Sequence, residues 1–263
     1  MSVEFGLTPD ARWDIGVADL VAAAGGAGFS AVGVAGRRAD AACAAALAAA
    51  GLRCHELLGL VITADEEATL SRACRLAEAA AVVSARWVLT TFAAPLGGET
   101  RPLIGRCAAM FAEAGSGMAV EFSPLGAVTS ISAGLAVVEA AGAGRAGLMI
   151  DTWHFFRGDS TWEQLERVPL DRIAYVQFCD APPPVSEDGI HETMQRRVMP
   201  GDGTFALDRF ASTLLDRGWA GLVSVEVLSA DLCQLPVPEF ARRAYQSTAR
   251  YWQPWFRTGG SRL

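Results

Sequence analysis

Four residues in the second half of the chain carry side chains that could hold a cation or move a proton: Glu121, Asp151, Gln177 and Glu226. Each closes an apolar run, MAV before Glu121, GLMI before Asp151, IAYV before Gln177 and LVSV before Glu226. The first two intervals each have the length of one strand–helix unit, and the third adds a long loop. Taken singly, each residue reads as a polar group capping a strand. Four in consecutive units read differently. In a closed parallel sheet, equivalent strand ends meet on one rim, so four distant positions become one cluster. Three carboxylates gathered there repel unless a cation lies between them. With an amide oxygen they form a hard, all-oxygen set. That set predicts one divalent ion, Mg²⁺ or Mn²⁺, with Co²⁺ admissible, in preference to Zn²⁺.

The elements needed to bring these residues together are present. Short β-type runs alternate with helical patterns along the whole chain, which argues for parallel strands joined by crossover helices. Strands are expected at 3–7, 31–35, 52–58, 87–92, 118–122, 148–151, 173–178 and 222–227. Helices are expected at 17–28, 39–50, 65–81, 100–114, 130–141, 161–167, 206–217 and 238–251. Eight units close a barrel, so the expected fold is α/β, a single-domain (β/α)8 TIM barrel over 1–256, with 257–263 a disordered tail. An open doubly wound sheet is the alternative. It is disfavoured because FGLTPD, and not a glycine-rich dinucleotide turn, follows the first strand. The stretch 181–204 breaks the rhythm and is expected to cover the C-terminal face as a loop. Trp252, Trp255 and Phe256 are expected to pack on the barrel floor or on another subunit.

Composition excludes several classes. The 263 residues are 51% hydrophobic, enough for one large core. All 22 basic residues are arginine, so no lysine is available for a Schiff base or a phosphate-binding P-loop. The net charge of −7 argues against a protein that grips nucleic-acid backbone. No apolar run is long enough to span a bilayer, and the start of the chain lacks the order of a secretion signal. The six scattered cysteines read as small buried hydrophobes in a reducing cytoplasm. The expected partner is a small-molecule substrate, with no nucleic acid and no membrane, and a homodimer or homotetramer is compatible.

AVEF, IDTWH, VQFCDAP, RVMPGDG and VSVEV occur in that order. In them the chain resembles the xylose isomerase-like barrels, in the group described as sugar phosphate isomerases/epimerases. The resemblance implies one cation held by Glu121, Asp151, Gln177 and Glu226. It implies that Glu121 and Glu226 flank the substrate and move its proton, and that His154 and Arg197 contact it. Two departures stand out. Many epimerases of the group have histidine where this chain has Gln177; glutamine there resembles the hydroxypyruvate isomerase and 3-dehydroshikimate dehydratase types. The acidic residue often found near the end of the second strand is missing, with Gly33 and Gly36 in its place.

The chemistry implied is proton transfer through a metal-stabilised enediolate, giving isomerisation or epimerisation of a small sugar or hydroxy-ketone. Loss of a β-hydroxyl from the same intermediate would instead make a dehydratase acting on a cyclic polyhydroxy ketone such as 3-dehydroshikimate or an inosose. An abasic-site endonuclease and a non-catalytic binding barrel are weighed and set below these two. Other polar residues are read more plainly. His55 as a lining of the barrel mouth is disfavoured, His191 and Arg196 are read as solvated, and Arg37 and Arg38 as the solvated start of a helix. Asp180 and Asp202 are read as structural. Trp153, Phe155, Phe156 and Phe178 are candidates for an apolar wall beside the site, with strand–helix packing the competing reading.

Overall fold

The computed structural model describes residues 2–253, and in it eight strands close into one parallel barrel. Their order around the barrel is their order in the chain: β1 (Glu4–Leu7), β2 (Ala31–Ala35), β3 (Arg53–Ile62), β4 (Trp87–Phe92), β5 (Gly117–Glu121), β6 (Ala146–Asp151), β7 (Ile173–Phe178) and β8 (Leu222–Val225). The flanking helices are α1 (Val17–Ala27), α2 (Ala41–Ala50), α3 (Glu66–Val83), α4 (Thr100–Glu113), α5 (Ile131–Ala141), α6 (Thr152–Arg157), α7 (Trp162–Arg167), α8 (Gly189–Gln195), α9 (Leu207–Leu215) and α10 (Val237–Trp252). The fold is a single-domain TIM barrel.

Alternation along β8 shows how the strands sort their side chains. Val223, Val225 and Val227 face outward into the apolar shell shared with Phe240 and Trp252. Leu222 faces inward onto a separate, smaller cluster of Leu89, Ala119, Met149 and Tyr175. That cluster plugs the barrel axis. Ser224, one inward step further on, bonds to Thr8 across the interior, and Glu226 comes next. The barrel is therefore apolar low in its axis and polar toward its C-terminal end.

Three elements differ from expectation. β3 runs on to Ile62 because Leu60, Val61 and Ile62 pair with Thr90, Thr91 and Phe92 past a register shift. The strand was expected to stop at Leu58. α6 starts directly on the Asp151 cap, which leaves no loop after β6. α8 lies inside the expected loop 181–204, started by the Asp188 carboxylate, which accepts from the Ile190 and His191 N–H groups. Trp252 packs neither on the floor nor on another subunit. It is buried outside the barrel against Phe178, Phe210 and Trp219. Trp255, Phe256 and the tail 257–263 lie outside the described residues. Four of the six cysteines are buried, but Cys74 is exposed and Cys233 half-buried. Among the described residues, no helix is long and apolar enough to cross a membrane.

Candidate active site

The register between strands brings the four rim residues together. Asp151 is paired with Gln177, Gln177 with Ser224, and Glu121 with Met149 two residues before Asp151. Asp151 and Gln177 are fully buried, whereas Glu121 and Glu226 keep 9% and 8% of their surface exposed. The two glutamates expected to move protons are thus the two that reach the mouth.

Asp151 uses both oxygens. Oδ1 accepts the His154 N–H at 3.0 Å and caps α6, and Oδ2 accepts from Arg197 Nη1 at 2.7 Å. The cap fixes His154 one turn on, where its Nε2 donates to Glu121 Oε1 at 2.9 Å. Arg197 follows α8, and its backbone N–H is tied to Leu228 O just beyond β8. Its guanidinium is buried and lies between Asp151 and Glu226, with Nη1 3.1 Å from Glu226 Oε2. Nε donates to Thr193 O at 3.1 Å and Nη2 to Thr193 Oγ1 at 2.8 Å, with Trp153 stacked 5.7 Å away. The residue expected to contact substrate is therefore already bound to two expected metal ligands.

The charges are unevenly satisfied. Burial drives the Glu226 carboxyl well above the usual carboxylate range; Arg197 opposes this, and the facing Asp151, Glu121 and Glu56 carboxylates add to it. Burial acts on Asp151 in the same sense, but Arg197 and His154 outweigh it and hold that carboxyl low. Arg197 stays charged because Asp151 and Glu226 outweigh its burial.

Sequence reading missed Glu56. It sits inside β3 and not at a strand end, and it is fully buried. Thr8 and the Tyr175 hydroxyl donate to its carboxylate, His55 Nε2 lies 3.1 Å from Oε1, and Gln177 Nε2 lies 3.3 Å from Oε2 and 3.4 Å from Oε1. Burial raises its pKa, but His55, Thr8 and Tyr175 together bring it below the usual range. Space for it comes from β2. A Cβ on Gly33 would lie 2.9 Å from Glu56 Oε1, and one on Gly6 would lie 3.1 Å from the His55 ring. The missing acidic residue near the end of the second strand is thus replaced from β3. Glycines facing the interior beside a His-Glu pair were the available signal.

The other candidates fall into place. His55 lies deep in the barrel, edge-on to Tyr175, and not at the mouth. His191 is exposed as expected, and Arg196 is half-buried on Glu192. Arg37 is exposed and donates to Ala11 O; Arg38 binds Trp13 O and Ile15 O and pins the loop after β1. Asp180 is structural, accepting from the Ala181, Gly201 and Phe205 N–H groups, and Asp202 is exposed. Phe155, Phe156 and Phe178 pack between strands and helices against Phe210 and Phe205, so packing explains them. Only Trp153 of the four adjoins the site. A cavity of about 900 Å³ opens at the opposite end of the barrel and includes none of the four rim residues.

A family model for the xylose isomerase-like TIM barrel matches residues 18–254. The chain belongs to the xylose isomerase-like TIM barrel family. Its similarity to the inosose isomerase of Halalkalibacterium halodurans is 31% identity over 134 residues, 50% of this chain and 46% of that protein. The chain thus spans about half the length of the curated relatives it matches. Among solved structures, a xylose isomerase-like TIM barrel/4-hydroxyphenylpyruvate dioxygenase fusion protein superposes with a TM-score of 0.83 at 18% identity, over 98% of this chain and 44% of that one. The IolI protein, solved with a bound zinc atom, gives 0.80 at 17% identity, over 95% and 98%. Both show the shared barrel.

Two features of this xylose isomerase-like barrel fit a cation. Gln177 Oε1 is buried with no hydrogen-bond partner. Glu56, Glu121, Asp151 and Glu226 are buried, and among the described residues Arg197 is the one arginine paired to any of them. Among the described residues, no three His, Cys, Asp or Glu side chains already converge as a cage. The donor set needs the amide oxygen, and Arg197 stands between two of its carboxylates.

Proposed function

We propose that the protein is a divalent-cation-dependent isomerase or epimerase of a small polyhydroxy ketone or sugar. The observation that carries this is the pair Glu121 and Glu226, partly exposed at one mouth above sealed Asp151 and Gln177. A cation held by Glu121, Asp151, Gln177 and Glu226 would polarise the substrate carbonyl and its neighbouring hydroxyl, which makes the adjacent C–H acidic. One glutamate takes that proton as general base. The other, protonated beforehand, gives its own proton to the opposite face for epimerisation, or the first glutamate passes the abstracted proton to the next carbon for isomerisation while the hydroxyl proton moves to the former carbonyl oxygen. His154 holds Glu121 in place through Nε2, beside the position where a substrate oxygen would sit. Arg197 keeps Asp151 ionised and, with Trp153, closes the side of the mouth toward β8. The likeness to proteins named inosose isomerase supports a cyclic polyhydroxy ketone as substrate.

A second reading, dehydration at the same site, is supported by His154, placed beside Glu121 where it could protonate a departing hydroxyl. Incubation of the Mn²⁺- or Mg²⁺-loaded protein with inososes and ketohexoses in D₂O separates the two. Solvent deuterium in an isomeric product supports the first. A new enone or aromatic absorbance supports the second. Conversion that EDTA leaves unchanged would sink the cation.

A further inference from the structure

The Gln177 amide has two ends alike in shape and opposite in chemistry. Its Nε2 lies 3.3 and 3.4 Å from the two oxygens of Glu56, and 3.5 Å from Glu226 Oε1. Ionised carboxylate oxygens accept and do not donate. Turned round, the amide would set its own oxygen against those oxygens, with no proton between them. Glu56, whose two oxygens already accept from Thr8 and Tyr175, therefore dictates one orientation, and Gln177 Oε1 is left as a buried acceptor without a partner. Such a group is costly unless something is bound there.

Glu56 can impose this orientation because it cannot itself turn. Thr8, just after β1, donates to Oε1 and the Tyr175 hydroxyl, on β7, to Oε2. Thr8 is held in turn by Ser224 at 2.6 Å. Gly33 leaves room for the carboxylate and for nothing larger than hydrogen on its own Cα.

We infer that Glu56 is the positioning residue of the site: it fixes the Gln177 amide so that Oε1, and not Nε2, is offered to a cation. The inference rests on the cation reading above. Glutamine at 177 serves as an oxygen ligand only with a carboxylate behind it.

Mn²⁺ titration calorimetry on the full chain tests this without reference to turnover. Glu56→Gln keeps the shape but can donate to Gln177 Oε1, turning the amide over, so the Kd for Mn²⁺ should rise at least about tenfold. The exchange Glu56→Gln with Gln177→Glu restores a donor facing an acceptor and an oxygen for the ion. Its Kd should return to within about threefold of wild type, and a merely structural role for Glu56 would not produce that rescue. If Glu56→Gln does not yield folded protein, Tyr175→Phe keeps the carboxylate but frees one oxygen to move, and the Kd should rise about threefold. Wild-type affinity in Glu56→Gln or, in its place, in Tyr175→Phe, or no rescue in the exchange, overturns the inference while leaving the cation reading intact. No binding to wild type overturns both.

Discussion

In β5 to β8 the working groups stand at strand ends, one per strand, and point into the mouth; in β1 to β3 the polar group is buried mid-strand and points at its neighbours. Glu121, Asp151, Gln177 and Glu226 belong to the first arrangement, and Glu56, with Thr8 and the space left by Gly33, to the second. The first half is short of positive charge, and Glu226 shows it in a carboxyl pushed well upward by burial and by three facing carboxylates. In the second half, one carboxylate accepts from Thr8, Tyr175 and Gln177 and is held low. The difference separates two tasks. One side of the barrel is left unsatisfied so that it can bind, and on the other the Glu56 carboxylate is satisfied at both oxygens so that it can hold the first in place.

Four substitutions or conditions sharpen or break that contrast. The largest effect is expected from Asp151→Ala, which leaves Arg197 buried with only the longer Glu226 contact; stability should fall by about 3–5 kcal/mol, read from denaturant unfolding. A loss below about 1 kcal/mol would mean that Arg197 is not held by Asp151. Glu226→Gln should reduce turnover about 10²–10⁴-fold yet leave the metal-free Tm unchanged or higher, because burial and the facing carboxylates already disfavour the ionised side chain. A lowered Tm would mean that Glu226 stabilises the fold and is not strained. Gly33→Ala pushes a methyl toward Glu56 Oε1 and should destabilise by about 1–3 kcal/mol while weakening Mn²⁺ binding. Wild-type Mn²⁺ affinity in that variant would uncouple the two halves.

The smallest effect is in pH. The Glu226 carboxyl is raised in the folded chain, so its proton stabilises the fold fully below the unfolded value of about 4.3, and that contribution fades as pH rises toward the raised value. Asp151 is lowered, so its contribution is complete above about 3.9 and is lost only in stronger acid. Above both unfolded values, up to the raised value of Glu226, that residue alone of the pair is sensitive, and a bound cation would displace its proton. The rise in Tm on adding Mn²⁺ should grow with pH across that window. A constant or shrinking rise would contradict the assignment.

The same contrast explains what the sequence disclosed. Strand-end residues follow apolar runs, and a run closing on a charged or amide group is visible in one dimension. Their convergence follows from parallel topology alone, and the structure brings Asp151, Gln177 and Glu226 together as that predicts. Glu56 gave no such sign. It lies in RCHELL, inside a strand whose register shifts twice, and its partners Thr8, Tyr175 and Gln177 come from β1 and β7. Arg197 was visible as a motif residue but not as a partner of Asp151, because α8 and the Leu228 tie that deliver it are set by packing across the barrel mouth. The end of β3 was also not legible, since sheet pairing with β4 carries the strand past Leu58 to Ile62.

The central claim is that the satisfied half of the barrel positions the unsatisfied half to hold a divalent cation. Its most direct test is the metal content of the purified protein by elemental analysis, wild type beside Asp151→Ala. The account predicts about one divalent ion per chain in wild type and under about a tenth of that in the variant, as loss of a charged ligand implies. No ion in wild type, or equal content in both, would contradict it.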